Sequence, residues 1–166
     1  MSLNEFMKFK YFLIAILVFL LLGAAYWIAS PLFITKEVHE DLGVIMEMAA
    51  SEGINGEKEE LRAVKTGVFV GADNFHIARG GARVLKIGEK YFVRFEDDFS
   101  VTNGPDLFVY FGKDCRYSAD ARLGRLKGNI GSQNYEVPIN LNPEDYNEIW
   151  VWCRAFSVPF GHAVLK

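Results

Sequence analysis

ARVLKIGEKYFVRFE, residues 82–96, decides the fold class. Two β-rich runs, Ala82-Ile87 and Tyr91-Phe95, flank Gly88-Glu89. Glycine tolerates the positive φ that a tight hairpin turn requires, so the stretch reads as a β-hairpin. Tyr91, Val93 and Phe95 alternate with Phe92, Arg94 and Glu96, as expected for a strand with one wet face.

The pattern continues on both sides. Candidate strands are Gly67-Val70, Phe75-Ala78, Leu107-Phe111, Arg122-Lys127, Gln133-Val137, Glu148-Arg154 and His162-Leu165. Clusters of Gly, Asn, Asp and Pro separate them. With no helical run interrupting from Thr66 onward, the expected fold is all-β, an antiparallel sandwich or barrel over residues 67–166.

Residues 30–66 read as a stalk. Pro31 is expected to end the preceding helix, because its ring does not fit a helix interior. Thr35 is placed to cap a short helix from Lys36 to about Ser51, with Val38, Leu42, Ile45 and Ala49 on one face and Gly53 as its stop. The charged stretch INGEKEELRAVK, 54–65, predicts a solvated connector able to hold the domain tens of ångströms off a membrane. A partner-binding helix is the alternative.

Tyr11 to Ala29, YFLIAILVFLLLGAAYWIA, carries no charge. A helix crossing a hydrocarbon core of about 30 Å needs roughly 20 residues, so this block is just long enough to span. Lys8 and Lys10 precede it, so residues 1–10 are expected in the cytoplasm and the rest outside, with Tyr26 and Trp27 at the far headgroup layer. A cleaved signal peptide is the competing reading. Its apolar core is ordinarily shorter, and bulky Tyr26 and Trp27 follow the small pair Ala24-Ala25.

The chain is 51% hydrophobic and 14% aromatic, enough for a packed core. Beyond Ser30 it holds 16 basic and 20 acidic groups, which offers no electrostatic footprint for nucleic acid. It contains no phosphate-cradling Gly-Lys-Ser/Thr loop, no dinucleotide fingerprint and no His-Glu-x-x-His zinc helix. No nucleophile–base pair is identifiable, which argues against a stand-alone enzyme.

Cys153 lies in EIWVWCRAF, with Ile149 and Val151 on its strand face and Trp150, Trp152 and Arg154 on the other. Three states are open to it: an inert buried thiol, a redox thiol, or a bridge to Cys115. His76 and His162 could join Cys153 around a metal, although each stands alone locally. Glu96-Asp97-Asp98 is the densest carboxylate group and reads as a solvated turn before a calcium site.

Four strings, DNFHIARGGARV (73–84), VTNGPDLFVYF (101–111), LGRLKGNIGSQNYEVP (123–138) and IWVWCRAFSVPFGHAVL (149–165), occur in an order and spacing that resembles the DM-thirteen domain, also called the electron-transfer DM domain. The most specific pieces are His76, Asn103-Gly104-Pro105-Asp106-Leu107, Leu126-Lys127-Gly128, Gln133-Asn134-Tyr135 and Trp152-Cys153. The sequence after the span also resembles small prokaryotic members with one N-terminal membrane anchor.

The resemblance implies an extracytoplasmic sandwich-like domain with a near-invariant cysteine, matched here by Cys153, and an electron-transfer or redox role with a protein partner. Relatives in animals occur beside DOMON and b-type cytochrome domains, and neither is expected within residues 1–166. No cofactor is indicated. The alternative is a non-enzymatic adhesion or ligand-binding module, working through the turns at 103–106 and 128–131.

Overall fold

The computed structural model describes residues 3–50 and 60–166. The expected hairpin forms: β3 (Gly81–Ile87) pairs antiparallel with β4 (Lys90–Phe95), in register from Ala82↔Phe95 to Ile87↔Lys90. Gly88 has φ +57° at the turn. Seven further pairing elements are β1 (Arg62–Gly71), β2 (Ala78–Arg79), β5 (Ser100–Val101), β6 (Leu107–Lys113), β7 (Arg116–Arg125), β8 (Gln133–Glu136) and β9 (Glu148–Cys153), and β10 (Val158–Val164) closes the chain.

Eight strands form one antiparallel sheet in the order β7-β6-β9-β10-β1-β3-β4-β8, while β2 and β5 pair separately. The large sheet curls until its two edges approach, and the Tyr135 ring of β8 reaches Gly124 of β7. The fold is therefore an all-β, nearly barrel-shaped domain preceded by an apolar helix. Inward residues of every long strand share one core, including Phe69, Val84, Val93, Phe95, Phe111, Tyr135, Ile149 and Val151. The predicted strand at Phe75-Ala78 shrinks to β2, because Asp73 to His76 closes a turn: Asp73 Oδ1 accepts the Phe75 and His76 amides.

The other face of the β3–β4 hairpin is not wet. Phe92 and Arg94 alternate as expected, yet both are buried there, under a helix and an extended segment that precede the barrel. The helix is α2 (Leu42–Ala50); its Ile45 is fully buried against Leu85, Ile87 and Phe92, with Leu42 alongside. It is shorter than the predicted Lys36–Ser51 helix, because residues 35–41 are drawn into pairing with the barrel. Lys36 O accepts the Asn129 amide at 2.6 Å, and the Val38 and Glu40 amides donate to Ile130 and Ser132 carbonyls at 2.9 Å. Glu37 bridges Ile130 in parallel, so this strap runs beside the chain leading into β8. Asp41 caps α2 by accepting the Gly43 amide at 2.9 Å.

The expected free stalk is thus largely absorbed into the domain on its near side. On its far side β1 already begins at Arg62. The Gly53 stop and most of the 54–65 connector lie outside the described residues.

The N-terminal helix α1 (Leu3–Phe33) contains Met7–Tyr26, a segment long and apolar enough to cross a membrane, with mean hydropathy 2.2 and none of it buried by the domain. It passes Pro31 by two residues instead of stopping there. So close to the C-terminus proline removes only one bond of the ladder, and Ile34 N–H still donates to Ser30 O at 3.0 Å.

Antiparallel pairing sorts the connections into two ends. Loops 72–77, 102–106, 126–132 and 154–157, together with the strap's entry at Thr35, lie at one end. The turns at 88–89 and 113–116 and the 137–147 connection lie at the other.

Candidate functional site

The residues carrying the family resemblance converge at the first of these ends. Gln133 organises it from inside. It is fully buried; its Nε2 donates to Gly128 O at 2.9 Å, and its Oε1 accepts the Lys127 amide, the Gly128 amide and the Tyr135 hydroxyl. Burial pushes the Tyr135 phenol far above its ordinary range, so it stays a neutral donor.

Lys127 Nζ turns toward the strap, contacting both Glu40 carboxylate oxygens at 2.8 and 2.9 Å and Asn134 O at 2.6 Å. Buried Arg94 reaches Glu40 O and Asn134 Oδ1, both at 2.9 Å. Gly128 is required by close approach: a β-carbon there would lie 2.7 Å from Val38 Cγ2. Leu126 packs at the core margin. Lys127, Gly128, Gln133 and Tyr135 therefore form a polar lock that fastens the strap.

Next to the lock, the loop 102–106 lies over the core, with Gly104 against Phe160 and Leu107. Asp106 pairs with Arg154 at 3.1 Å and Arg125 at 3.6 Å, and its carbonyl accepts the Arg154 amide. The Pro105 carbonyl accepts from Arg125 Nη2 at 3.2 Å. His76 tilts on Phe160, ring centroids 4.4 Å apart, and its Nδ1 is 2.7 Å from Asp73 Oδ2. That hydrogen bond holds the Asp73 carboxyl at about 2, below the usual carboxylate range.

Cys153 is the last residue of β9, at this same end, and its inward side chain has 0% exposure. Leu107 and Val158 flank it in register on the neighbouring strands. Its sulfur has no hydrogen-bond or ionic partner among the described residues.

Both cysteines are free. Cys115 is exposed in the turn at the opposite end, and its amide donates to Glu148 at the other end of β9. Five residues of strand, ~17 Å, separate Glu148 from Cys153. Disulfide-linked α-carbons lie within about 7 Å, so the predicted alternative of a Cys115–Cys153 bridge is excluded by geometry.

The histidines do not join Cys153 either. His162 is paired with Trp150, on the opposite face of the sheet from Cys153, and stacks on that indole at 4.7 Å. His76 is engaged by Asp73, and no group of three His, Cys, Asp or Glu side chains converges among the described residues. Within Glu96-Asp97-Asp98, Glu96 pairs with Arg83 and Asp98 accepts the Gly81 amide, so the group does not act as one site.

Sequence reasoning missed the outer face of β7-β6-β9-β10. Phe108 lies under three guanidinium groups, with Arg154 4.1 Å, Arg122 5.6 Å and Arg125 5.9 Å from its centroid. Trp152 stacks on Tyr117 at 4.2 Å, and Tyr117 meets Tyr110 at 5.1 Å. Burial pushes the Tyr110 phenol up, while Arg154 and Arg122 partly offset this.

Beneath Trp150 the Glu148 carboxylate is buried, accepting the indole N–H at 2.8 Å and the Cys115 amide at 2.9 Å. The alternation Glu148-Trp150-Trp152 was the available signal for this face. The cross-strand partners Phe108, Arg122 and Tyr117 carry none locally.

The family model described as Electron transfer DM13 matches residues 69–165, which contain every strand after β1 and the four connecting loops of the loop end. No curated protein and no solved structure matches the chain.

Proposed function

From the premise that this chain belongs to the electron transfer DM13 family, we propose that it is a membrane-anchored redox accessory protein working through Cys153. In this reading residues 11–29 anchor it, residues 1–10 are cytoplasmic, and the domain stands on the extracytoplasmic side of the cell membrane. The observation that carries it is a free thiol at the end of β9, directly under the loops where the family's residues gather.

With the sulfur enclosed, exchange requires the loop end to open locally. The Cys153 thiol then loses its proton to solvent and attacks one sulfur of a partner's disulfide. A mixed disulfide forms, and the partner's second sulfur leaves as a thiolate. Net reduction of the partner then takes two small-molecule thiols. One attacks the Cys153 sulfur and releases the partner as a dithiol, and the second frees Cys153 as the two thiols leave joined as a disulfide. Cys115, at the far end, cannot serve.

Thiol titration of the full chain in mild detergent tests this. A Cys115→Ser variant leaves Cys153 as the only reporter. Slow but complete modification of the native protein, and a glutathione adduct under oxidising glutathione, are expected. A sulfur that reacts only after unfolding refutes the reading.

A second reading, a non-enzymatic ligand-binding or adhesion module, is favoured by the aromatic and arginine-rich outer face around Phe108 and Trp152. The turns at 103–106 and 128–131 support it less, because Thr35, Lys36 and Val38 already occupy part of them. An inert Cys153 would leave this reading standing.

A further inference from the structure

The loop end exposes large apolar side chains on an ordered scaffold. Phe75 is 85% exposed, Phe156 64% and Ile77 54%. Their positions are fixed. Phe75 projects from the turn that Asp73 holds through two amides and the His76 ring. Phe156 lies in the turn closing β9 to β10, tied back through Arg154 to Asp106. Ile77 O accepts the Thr102 amide at 2.9 Å. Exposed apolar groups gathered at one end mark a surface that meets a membrane or another protein.

Chain connectivity says which. Helix α1 runs to Phe33, and Thr35 already bonds Asn103 of the loop end at 3.2 Å. Seven helical residues beyond Tyr26, where the apolar segment ends, rise ~11 Å. Two more extended residues add at most ~7 Å. The loop end is therefore tethered within ~18 Å of the hydrocarbon edge, of which the headgroup layer fills roughly 5–8 Å. Exposed Phe33 and Ile34 lie in this same gap. The strap then runs away from the loop end along β8, and strands of up to ten residues, ~33 Å, lead to the opposite end.

Resting on the reading of α1 as a membrane anchor, we propose that the loop end docks on the bilayer that holds the anchor. Phe75 and Phe156 enter the boundary between headgroups and acyl chains, in the manner of a monotopic apolar surface. The end of β9 that carries Cys153 then faces lipid.

Spin labelling of the full chain in lipid nanodiscs tests the proposal. Single cysteines are introduced in a Cys115→Ser background at Leu17 in the span, at Phe75 and Phe156, and at Ile139 at the opposite end. Cys115→Ser alone supplies the blank. Labels at 17, 75 and 156 are expected to collide more with oxygen than with a water-soluble nickel chelate, and the label at 139 to show the reverse. A lipid-exposed label at 17 with either 75 or 156 behaving like 139 overturns the docking and leaves the anchor intact. A water-exposed label at 17 overturns both.

Discussion

Gly112→Ala is predicted to destabilise the barrel through one junction on its outer face. Trp150 lies flat over Gly112, and a β-carbon there would overlap indole Cδ1 and Nε1. The indole must move, and its N–H then leaves the buried Glu148 carboxylate it now reaches at 2.8 Å. Forcing an extra carbon into a packed site costs about 1–3 kcal/mol. A lost hydrogen bond to a buried charge adds roughly 1.5–3 kcal/mol.

A total of about 2.5–6 kcal/mol should lower Tm by roughly 10 °C or more, at ~4 °C or more per kcal/mol for a domain of this size. Urea unfolding in detergent, followed by far-UV circular dichroism, measures it. In a Trp150→Val background the same substitution should cost less, because the indole is gone, although the β-carbon would still lie 2.5 Å from the Arg116 carbonyl oxygen. A cost below ~1 kcal/mol with Trp150 present, or equal costs in both backgrounds, refutes the reasoning.

Lys127→Ala removes the ammonium from Glu40 and Asn134 O; with Lys127 partly exposed, a loss of about 1–2 kcal/mol is expected. Hydrogen exchange should then quicken at the Val38 and Glu40 amides and stay unchanged in β9. Asp73 is depressed to about 2 from 3.8, so its contribution to the 73–76 turn is full above about pH 4 and lost as pH falls toward 2. Amide exchange of Phe75 and His76 should rise in that window, and Asp73→Asn should remove the pH dependence. Cys153→Ser places an unpaired hydroxyl in the core and should cost about 1–3 kcal/mol, more than Cys153→Ala. The reverse order, by chemical denaturation, would reveal a polar partner for the sulfur.

Local patterning made the barrel legible and the strap illegible, for the same physical reason. Ala82-Ile87 and Tyr91-Phe95 carry their period and their turn within fifteen residues, so the hairpin could be read directly. Val38, Leu42, Ile45 and Ala49 show helical spacing too, yet only the part from Leu42 is helical. Residues 36–40 find backbone partners at 129–132, a pairing some ninety residues away that no local period encodes. Arg94 read as a solvent-facing charge because its neighbours alternate correctly. Its burial depends on Glu40 and Asn134, which arrive from two other segments. The turn at Asp114-Cys115 escaped for another reason: both residues have positive φ, in a turn that ordinarily selects Asn or Gly. At the site, the resemblance led to Cys153, Lys127 and Gln133. Their enclosure and mutual bonding emerged only once the loops were assembled.

The two thiols sit at opposite ends of the barrel, and that separation constrains any redox chemistry more tightly than the identity of Cys153 does. A solitary thiol cannot give up two electrons by forming a disulfide without a second sulfur, and ~17 Å of strand keeps Cys115 from supplying it. The second sulfur must come from another molecule and must enter by the loop end, since Ile149 and Val151 continue the core behind Cys153. The tether at Thr35 fixes that end close to the emergence of α1. If α1 is the proposed membrane anchor, a partner for Cys153 therefore has to present its sulfur near the membrane surface. A Cys153→Ala variant should lose cross-linking to such a partner, whereas Cys115→Ser should keep it.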